Sequence, residues 1–240
     1  MADVKLSNRM KAIVNMVDEE TVADIGCDHA FVSIALVQSG KVSQVVAMDV
    51  KEGPVCIARE NVSAYCMEDK IQVRLSDGFA ALKENEVECA IIAGMGGQLM
   101  VDILRAGNMH LENGIHLILQ PQSELHLVRA YLHKVGYEIV REDMLLEDGK
   151  YYTIMKAVRT GNFVEAYSDA ELRYGRLLLD GRNPVLREYL QNKYLQNRNL
   201  QDNLIKADTE KARQRVDELQ REQQLIETCL NTETGGLFTL

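Results

Sequence analysis

From Leu6 to about residue 159, apolar positions switch repeatedly between two spacings, and the switching predicts alternating helices and strands. Leu6, Met10, Ile13, Val14 and Val17 recur at helical spacing and predict an opening amphipathic helix. Continuous apolar runs follow at Thr21–Ile25, Val42–Asp49, Ile71–Leu75, Val87–Ala93 and Ile115–Gln120, the pattern of strands buried on both faces. Helical segments fall at Phe31–Ser39, Pro54–Cys66, Gln98–Arg105 and Leu125–Val135, so the rhythm is that of βαβ units with five parallel strands. Two longer extended runs, Tyr137–Leu146 and Tyr151–Arg159, then flank Glu147-Asp148-Gly149-Lys150. Asp-Gly between such runs predicts an antiparallel hairpin.

Beyond Thr160 the composition changes to Gln, Asn, Arg, Glu and Leu, and the strand pattern stops. Helix signals begin near Ser168-Asp169 and continue in two long segments, Pro184–Leu204 and Asp208–Cys229. Val216, Leu219, Gln223, Ile226 and Leu230 recur at alternating intervals of three and four, as the seam of a coiled coil does. The expected organisation is an α/β domain over residues 1–160 and a helical antiparallel coiled-coil arm over 161–240.

Composition narrows the class. The five cysteines show no C-x-x-C spacing and the histidines at 110, 116, 126 and 133 are scattered, so neither a disulfide framework nor a metal site is expected. The first ten residues carry no apolar leader, and no uncharged stretch approaches the roughly 20 residues of a membrane span, which points to a cytoplasmic protein without membrane contact. The net charge of −9 argues against a generic polyanion binder. Its distribution is uneven: residues 1–159 hold 16 basic against 23 acidic side chains, and the remainder 11 against 13. A local basic face on the helical part is compatible with those counts.

The candidate chemistry sits at strand ends. Residues 22–30 read V-A-D-I-G-C-D-H-A, an apolar run that ends in Asp24-Ile25-Gly26 and opens straight into a helix. A nucleotide-like ligand needs bare backbone where the first strand turns and an acid farther on for the ribose hydroxyls, roles that Gly26 and Asp49 fill. Asp49 follows Asp24 by 25 residues, with Val50 beside it. A dinucleotide fingerprint would need three glycines as G-x-G-x-x-G, and here only the first is present, with Asp28 in the place of the second. S-adenosylmethionine has no pyrophosphate to cradle, tolerates the looser loop, and commonly meets an acid such as Asp24 near its methionine end. Asp77-Gly78, after the third strand, is placed for the adenine amino group. The fourth strand runs into Ala93-Gly94-Met95-Gly96-Gly97, a loop bare enough for a planar group to approach the main chain. The fifth ends in Leu119-Gln120-Pro121-Gln122, whose amides could read a base edge.

The segments D-I-G-C-D-H-A, A-G-M-G-G and L-Q-P-Q, with the opening L-S-N-R-M, resemble the bacterial tRNA (adenine-N1)-methyltransferase family that acts on adenosine 22, TrmK. The resemblance spans the chain. It implies a Rossmann-like class I methyltransferase sheet of seven strands, the last antiparallel, followed by a coiled-coil-like helical hairpin. S-adenosylmethionine is then the cofactor and tRNA the partner. One departure is Gln122, where the family is expected to carry Asn; the longer amide keeps the same donor and acceptor.

On that basis Asp28 is the candidate carboxylate near the adenine amino group, and Gln120 and Gln122 are expected to hold the base. Asp24, Gly26, Cys27, Asp49, Val50, Asp77, Gly78, Gly94 and Met95 are the expected cofactor contacts. Arg9, His29, Gly96 and Pro121 are expected at the substrate, Arg9 on a phosphate or on the cofactor carboxylate. Arg173 and Arg176, with Arg182, Arg187, Lys193 and Arg198, are candidate phosphate contacts on the arm. Two rivals remain at this level: a methyltransferase for a small metabolite or protein, and a non-catalytic nucleotide-binding module with a docking arm.

Overall fold

The computed structural model describes residues 3–161, 165–207 and 209–232. They divide into two compact units, Met1–Ala166 and Tyr167–Leu240. The sequence places that boundary at residue 160, where the strand pattern ends.

In the first unit, α1 (Asn8–Met16), α2 (Phe31–Gln38), α3 (Glu52–Ala64), α4 (Gly97–Ala106), α5 (Asn108–Glu112) and α6 (Leu125–Lys134) accompany seven strands. These are β1 (Thr21–Ile25), β2 (Gln44–Asp49), β3 (Ile71–Leu75), β4 (Cys89–Met95), β5 (His116–Pro121), β6 (Tyr137–Glu147) and β7 (Lys150–Arg159). They form one sheet in the order β3-β2-β1-β4-β5-β7-β6. β1 to β5 pair in parallel, and β7 inserts between β5 and β6, antiparallel to both. β6 therefore runs with the first five strands, and among the described strands β7 alone runs against the rest. The tight turn is local chemistry: Asp148 and Gly149 both take positive φ, 50° and 73°, as a two-residue hairpin turn of this hand requires.

Side-chain alternation along the strands feeds two cores. Val22, Cys89 and Ile91 point into the layer with Ile13 of α1, Ile34 of α2 and Val62 of α3. Their neighbours Ala23, Ala90 and Ile92 pack with Met100 and Leu104 of α4 and Leu132 of α6. A sheet covered on both faces leaves its strand ends as the place for a ligand. The strand order reverses direction between β1 and β4, and the crevice opens there, at the carboxyl edge.

The α6 side of the sheet holds one fully desolvated ion pair, Arg129 to Glu142, with side chains 0% and 1% exposed and Nη2 to Oε1 at 2.6 Å. Arg129→Met leaves a buried carboxylate without its cation, and denaturant unfolding is expected to show a loss of about 3–5 kcal/mol. Arg129→Met combined with Glu142→Leu should return most of it; a single variant as stable as the parent would mean that the charge pair is not what holds β6 to α6.

The second unit contains α7 (Asp169–Tyr174), α8 (Arg176–Asp180), α9 (Pro184–Ala207) and α10 (Glu210–Thr232). A capping box starts α7: the Ser168 hydroxyl accepts from the Glu171 N–H while Glu171 reaches back to the Ser168 N–H. The predicted start of the last helix at Asp208 lies outside the described residues. α9 and α10 are antiparallel: the Tyr194 hydroxyl donates to Glu227 at 3.0 Å and the buried Asn197 amide to Glu222 at 2.8 Å. Ala212, Leu219 and Ile226, one heptad apart, are buried in the seam, whereas Val216, Gln223 and Leu230 are only half-buried. The true seam thus includes an alanine that its small size hides from a hydrophobicity pattern, and a buried polar residue that can fix the register.

Candidate active site

At the reversal between β1 and β4 lies a cavity of about 450 Å³. The three strand-end acids, Asp24, Asp49 and Asp77, all line it, together with Gly26, Gly94 and Gln122. Its size and polar corners suit a nucleoside-sized ligand.

β1 delivers Asp24 into the cavity wall, where it is buried and accepts a 2.6 Å hydrogen bond from the Ser33 hydroxyl of α2. Ser33 escaped the sequence reading; its only signal is a lone polar residue inside the apolar run of α2. Burial pushes the Asp24 carboxyl up to about 6, the nearby Asp49 charge adds to the rise, and the Ser33 bond opposes it. The folded protein therefore binds this proton more tightly than the unfolded chain. That stability is complete below about pH 3.8 and is lost as the pH rises through about 6. Asp24→Asn keeps an acceptor for Ser33 and buries no charge. Without ligand it is expected to be more stable than the parent by up to about 3 kcal/mol at pH 8, the gain vanishing near pH 4 in denaturant titrations.

After β1 the chain turns on Gly26, at φ 77°, and its N–H and that of Cys27 both donate to the Met48 carbonyl. A Cβ on Gly26 would run into Cε of Met95, so a side chain there has to push that methyl group aside. Asp28 and Ala30 take φ of 50° and 58°, which aims the exposed Asp28 side chain at the cavity. The Asp28 N–H donates to Asp49 Oδ2 at 3.3 Å, and the Lys51 N–H to Asp49 Oδ1 at 3.0 Å, so the β2 acid holds the β1 loop as well as facing the cavity. Burial and the Asp24 charge push the Cys27 thiol far up, which disfavours the thiolate that a nucleophilic cysteine needs.

Asp77 is exposed at the rim, while Gly78, at φ 53°, packs against Ile103. The Ser76 hydroxyl donates to the Gly78 carbonyl and accepts from the Ala81 N–H, fixing that turn. Val50 and Leu99, more than half exposed, form apolar parts of the mouth. In the fourth-strand loop a register shift lies between Ala93 and Met95, with Gly94 at φ 78° in the bulge. Met95 lines the cavity, and its carbonyl accepts from the Gln122 N–H at 2.8 Å. Gly96 caps α4 and lies beside Ser123.

The amides of the fifth strand separate. Gln122 is exposed and lines the cavity, but Gln120, expected at the base edge, is entirely buried. Its Oε1 accepts from Arg9 Nη1 at 2.9 Å and its Nε2 donates to the Pro121 carbonyl, so any influence on a ligand passes through Arg9. Pro121 is itself buried. Arg9 does line the cavity. His29 stacks on Phe31 at 5.7 Å, its carbonyl is held by Asn61, and it is not part of the cavity wall. In the helical unit, Arg173 pairs with Asp169, and Arg176 pairs with Glu171 and lies over Tyr167. Lys193 faces Glu222 at 3.8 Å. Arg182 and Arg198 are exposed without an ion pair among the described residues. Among the described residues there is also no group of side chains that could hold a metal ion.

Three strand-end acids thus line one glycine-floored cavity, at the carboxyl edge of a sheet into which one strand is inserted antiparallel near the far edge. The model of the family described as TrmK, tRNA (adenine(22)-N(1))-methyltransferase, matches residues 22–228. This chain belongs to the TrmK family. The tRNA (adenine(22)-N(1))-methyltransferase of Bacillus subtilis (strain 168) is 32% identical over 237 residues, 96% of this chain and 99% of that one. The structure of Streptococcus pneumoniae Sp1610 in complex with S-adenosyl-L-methionine is 32% identical, with a TM-score of 0.82 over 94% of this chain and 100% of that chain. M. capricolum TrmK in complex with S-adenosyl-homocysteine is 25% identical, with a TM-score of 0.81 over 94% of this chain and 98% of that chain. TrmK membership thus extends through both compact units.

Proposed function

We propose that this TrmK protein transfers the methyl group of S-adenosylmethionine to N1 of adenosine 22 in tRNA, a reaction of the cytoplasm. The observation that carries the reading is the convergence of Asp24, Asp49 and Asp77 with Gly26, Gly94 and Gln122 around one cavity. The cavity fits the cofactor: Gly26 leaves the space a side chain would fill, and carboxylates stand at the first, second and third strand ends. When bound, the cofactor supplies an electrophilic methyl on a sulfonium.

Asp49 offers acceptors to a ribose diol, and Asp77 at the rim an acceptor to an adenine amino group. Adenine N1 carries a free lone pair at neutral pH, so no residue has to unmask it. The protein's work is alignment and exclusion of water. Because N1 lies on the pairing edge, the base must be unpaired or turned out to enter. Gly94 keeps the wall flat there, and Gln122 presents an amide beside it, its Nε2 3.8 Å from where a Gly94 Cβ would lie.

As positive charge builds on the ring, the exocyclic amino group becomes more acidic, and Asp28 provides the carboxylate to face it. Asp28→Ala is therefore expected to lower kcat by about 100-fold with little change in cofactor Kd. Equal losses in both would make Asp28 a cofactor ligand. The reading as a whole is tested by nucleoside mass spectrometry of tRNA incubated with the protein and cofactor. One N1-methyladenosine should appear per tRNA and none when position 22 is changed to uridine; methylation elsewhere, or none at all, would overturn it.

A further inference from the structure

Arg9 reaches into the cavity from α1, and its guanidinium makes its hydrogen bond and its ring contact with neutral side chains. Nη1 donates to Gln120 Oε1 at 2.9 Å, and the guanidinium carbon lies 5.5 Å from the centre of the Tyr152 ring. Glu147, whose charge is felt by Arg9, is engaged with backbone: it accepts from the Asn8 N–H at 2.5 Å and the Arg9 N–H at 3.3 Å. Those N–H groups, with the Ser7 hydroxyl and the Arg9 charge adding to them, hold the Glu147 carboxyl below its usual range. The same helix start is capped from inside by Ser7, which accepts from the Met10 N–H.

The arginine is thus mounted by three parts of the sheet that lie far away in sequence. Glu147, at the tip of the β6–β7 hairpin, fixes the helix turn from which Arg9 projects. Tyr152 of β7 supports one face of the guanidinium, and Gln120 of β5, which is 0% exposed, fixes one of its nitrogens. The result is placed: Nη1 lies 3.7 Å from where a Cβ on Gly94 would stand, at the bulge that faces the cavity. Because the neighbouring Glu147 carboxylate bonds backbone N–H groups, the half-buried guanidinium keeps donors free for an anion that a ligand brings. One Nη1 hydrogen is used by Gln120, which leaves the other guanidinium edge for a paired-oxygen acceptor.

We propose that Arg9 is a preorganised seat for a carboxylate or phosphate brought by a ligand, and that Gln120, Tyr152 and Glu147 are positioning residues that hold it over Gly94. The proposal rests on the methyltransferase reading, whose two ligands each carry such a group. The cofactor has an α-carboxylate, and the tRNA has the phosphates next to the target nucleoside. It also gives Gln120 a role different from base contact: the buried amide sets the direction of the guanidinium without adding a charge of its own.

That last property supplies the test. Gln120→Glu places a carboxylate where the amide stands, giving Arg9 an internal counter-ion that competes with the ligand's anion. A purely structural contact would be strengthened by the same change. The full-length parent, Gln120→Glu, Arg9→Lys and Tyr152→Leu are compared by calorimetry with S-adenosylmethionine and with its decarboxylated analogue. The KM for tRNA is measured alongside, with melting temperature as the check on folding. If the seat takes the cofactor carboxylate, the parent prefers the intact cofactor by about tenfold or more, and the variants lose most of that preference without a change in tRNA KM. If it takes an RNA phosphate, cofactor affinity is unchanged and tRNA KM rises about tenfold. A neutral methylphosphonate 5′ of adenosine 22 then costs the parent the same factor and the variants nothing more.

Folded variants in which neither quantity moves overturn the proposal, and Arg9→Lys and Tyr152→Leu keep that outcome accessible should the Gln120 substitution unfold the protein. A parent chain that binds no cofactor and methylates no tRNA would overturn the underlying methyltransferase reading instead, and that result is seen before any variant is made.

Discussion

Gly26→Val is expected to abolish cofactor binding while leaving a folded protein. Two independent costs coincide at this residue. Its φ of 77° lies in the left-handed region, where a β-branched residue is strained by about 1–3 kcal/mol. The added side chain would also start inside the Met95 methyl and fill the approach between the first and fourth strand ends. Either the Met95 side chain moves into the cavity and takes ligand space, or the β1–α2 loop moves away and displaces Asp28 and the Gly26 and Cys27 N–H groups that bond the Met48 carbonyl. The affinity loss should exceed about 100-fold, equivalent to about 3 kcal/mol, with a drop in melting temperature too small to account for it. Gly26→Ala, which adds the Cβ alone, should fall between. A Gly26→Val protein that bound S-adenosylmethionine normally would place the ligand elsewhere in the molecule.

The legibility of this site in the sequence follows from its architecture. In a parallel sheet every strand delivers its last residue to the same edge, so an apolar run that ends on an acid already assigns that acid a place. Thr21–Ile25 and Ile71–Leu75 have the expected bounds, and Asp24, Asp49 and Asp77 line one cavity. The ends of apolar runs are less legible where packing decides: β2 begins at Gln44 rather than Val42, and β4 continues through the bulge to Met95.

The direction of Gln120 is not legible for a related reason. Leu119, Gln120 and Pro121 are all buried, so a strand covered on both faces carries no alternation to say which face a polar side chain takes. The mount of Arg9 is invisible in the sequence because its partners are 111 to 143 residues away and depend on the insertion of β7 beside β5. Pattern reading also overstates the basic surface of the helical unit. Arg173 and Asp169 stand one helical turn apart, and Glu171 precedes Arg176 by five residues, so these arginines already have carboxylate partners.

That difference shapes the second large effect, expected when residues 167–240 are removed. The remaining chain keeps the whole sheet, both of its cores and every residue that lines the cavity, and so should bind S-adenosylmethionine with unchanged affinity. tRNA methylation should fall by at least about 100-fold, because phosphate contacts supply much of the affinity for a nucleic acid and the −9 chain cannot supply them through its net charge. Within the helical unit the exposed Arg182 and Arg198 are the candidates to carry the effect, ahead of Arg173 and Arg176, whose existing ion pairs would have to be given up. In the full-length protein, Arg182→Ala with Arg198→Ala should reduce the slope of log KM for tRNA against log salt by about 2, one for each phosphate that is no longer neutralised. Arg173→Ala should leave that slope unaltered. If the shortened chain methylated tRNA at the parental rate, with the parental salt dependence, the helical unit would have no part in holding the substrate, and recognition would have to come from the first unit, where Arg9 is the basic residue lining the cavity.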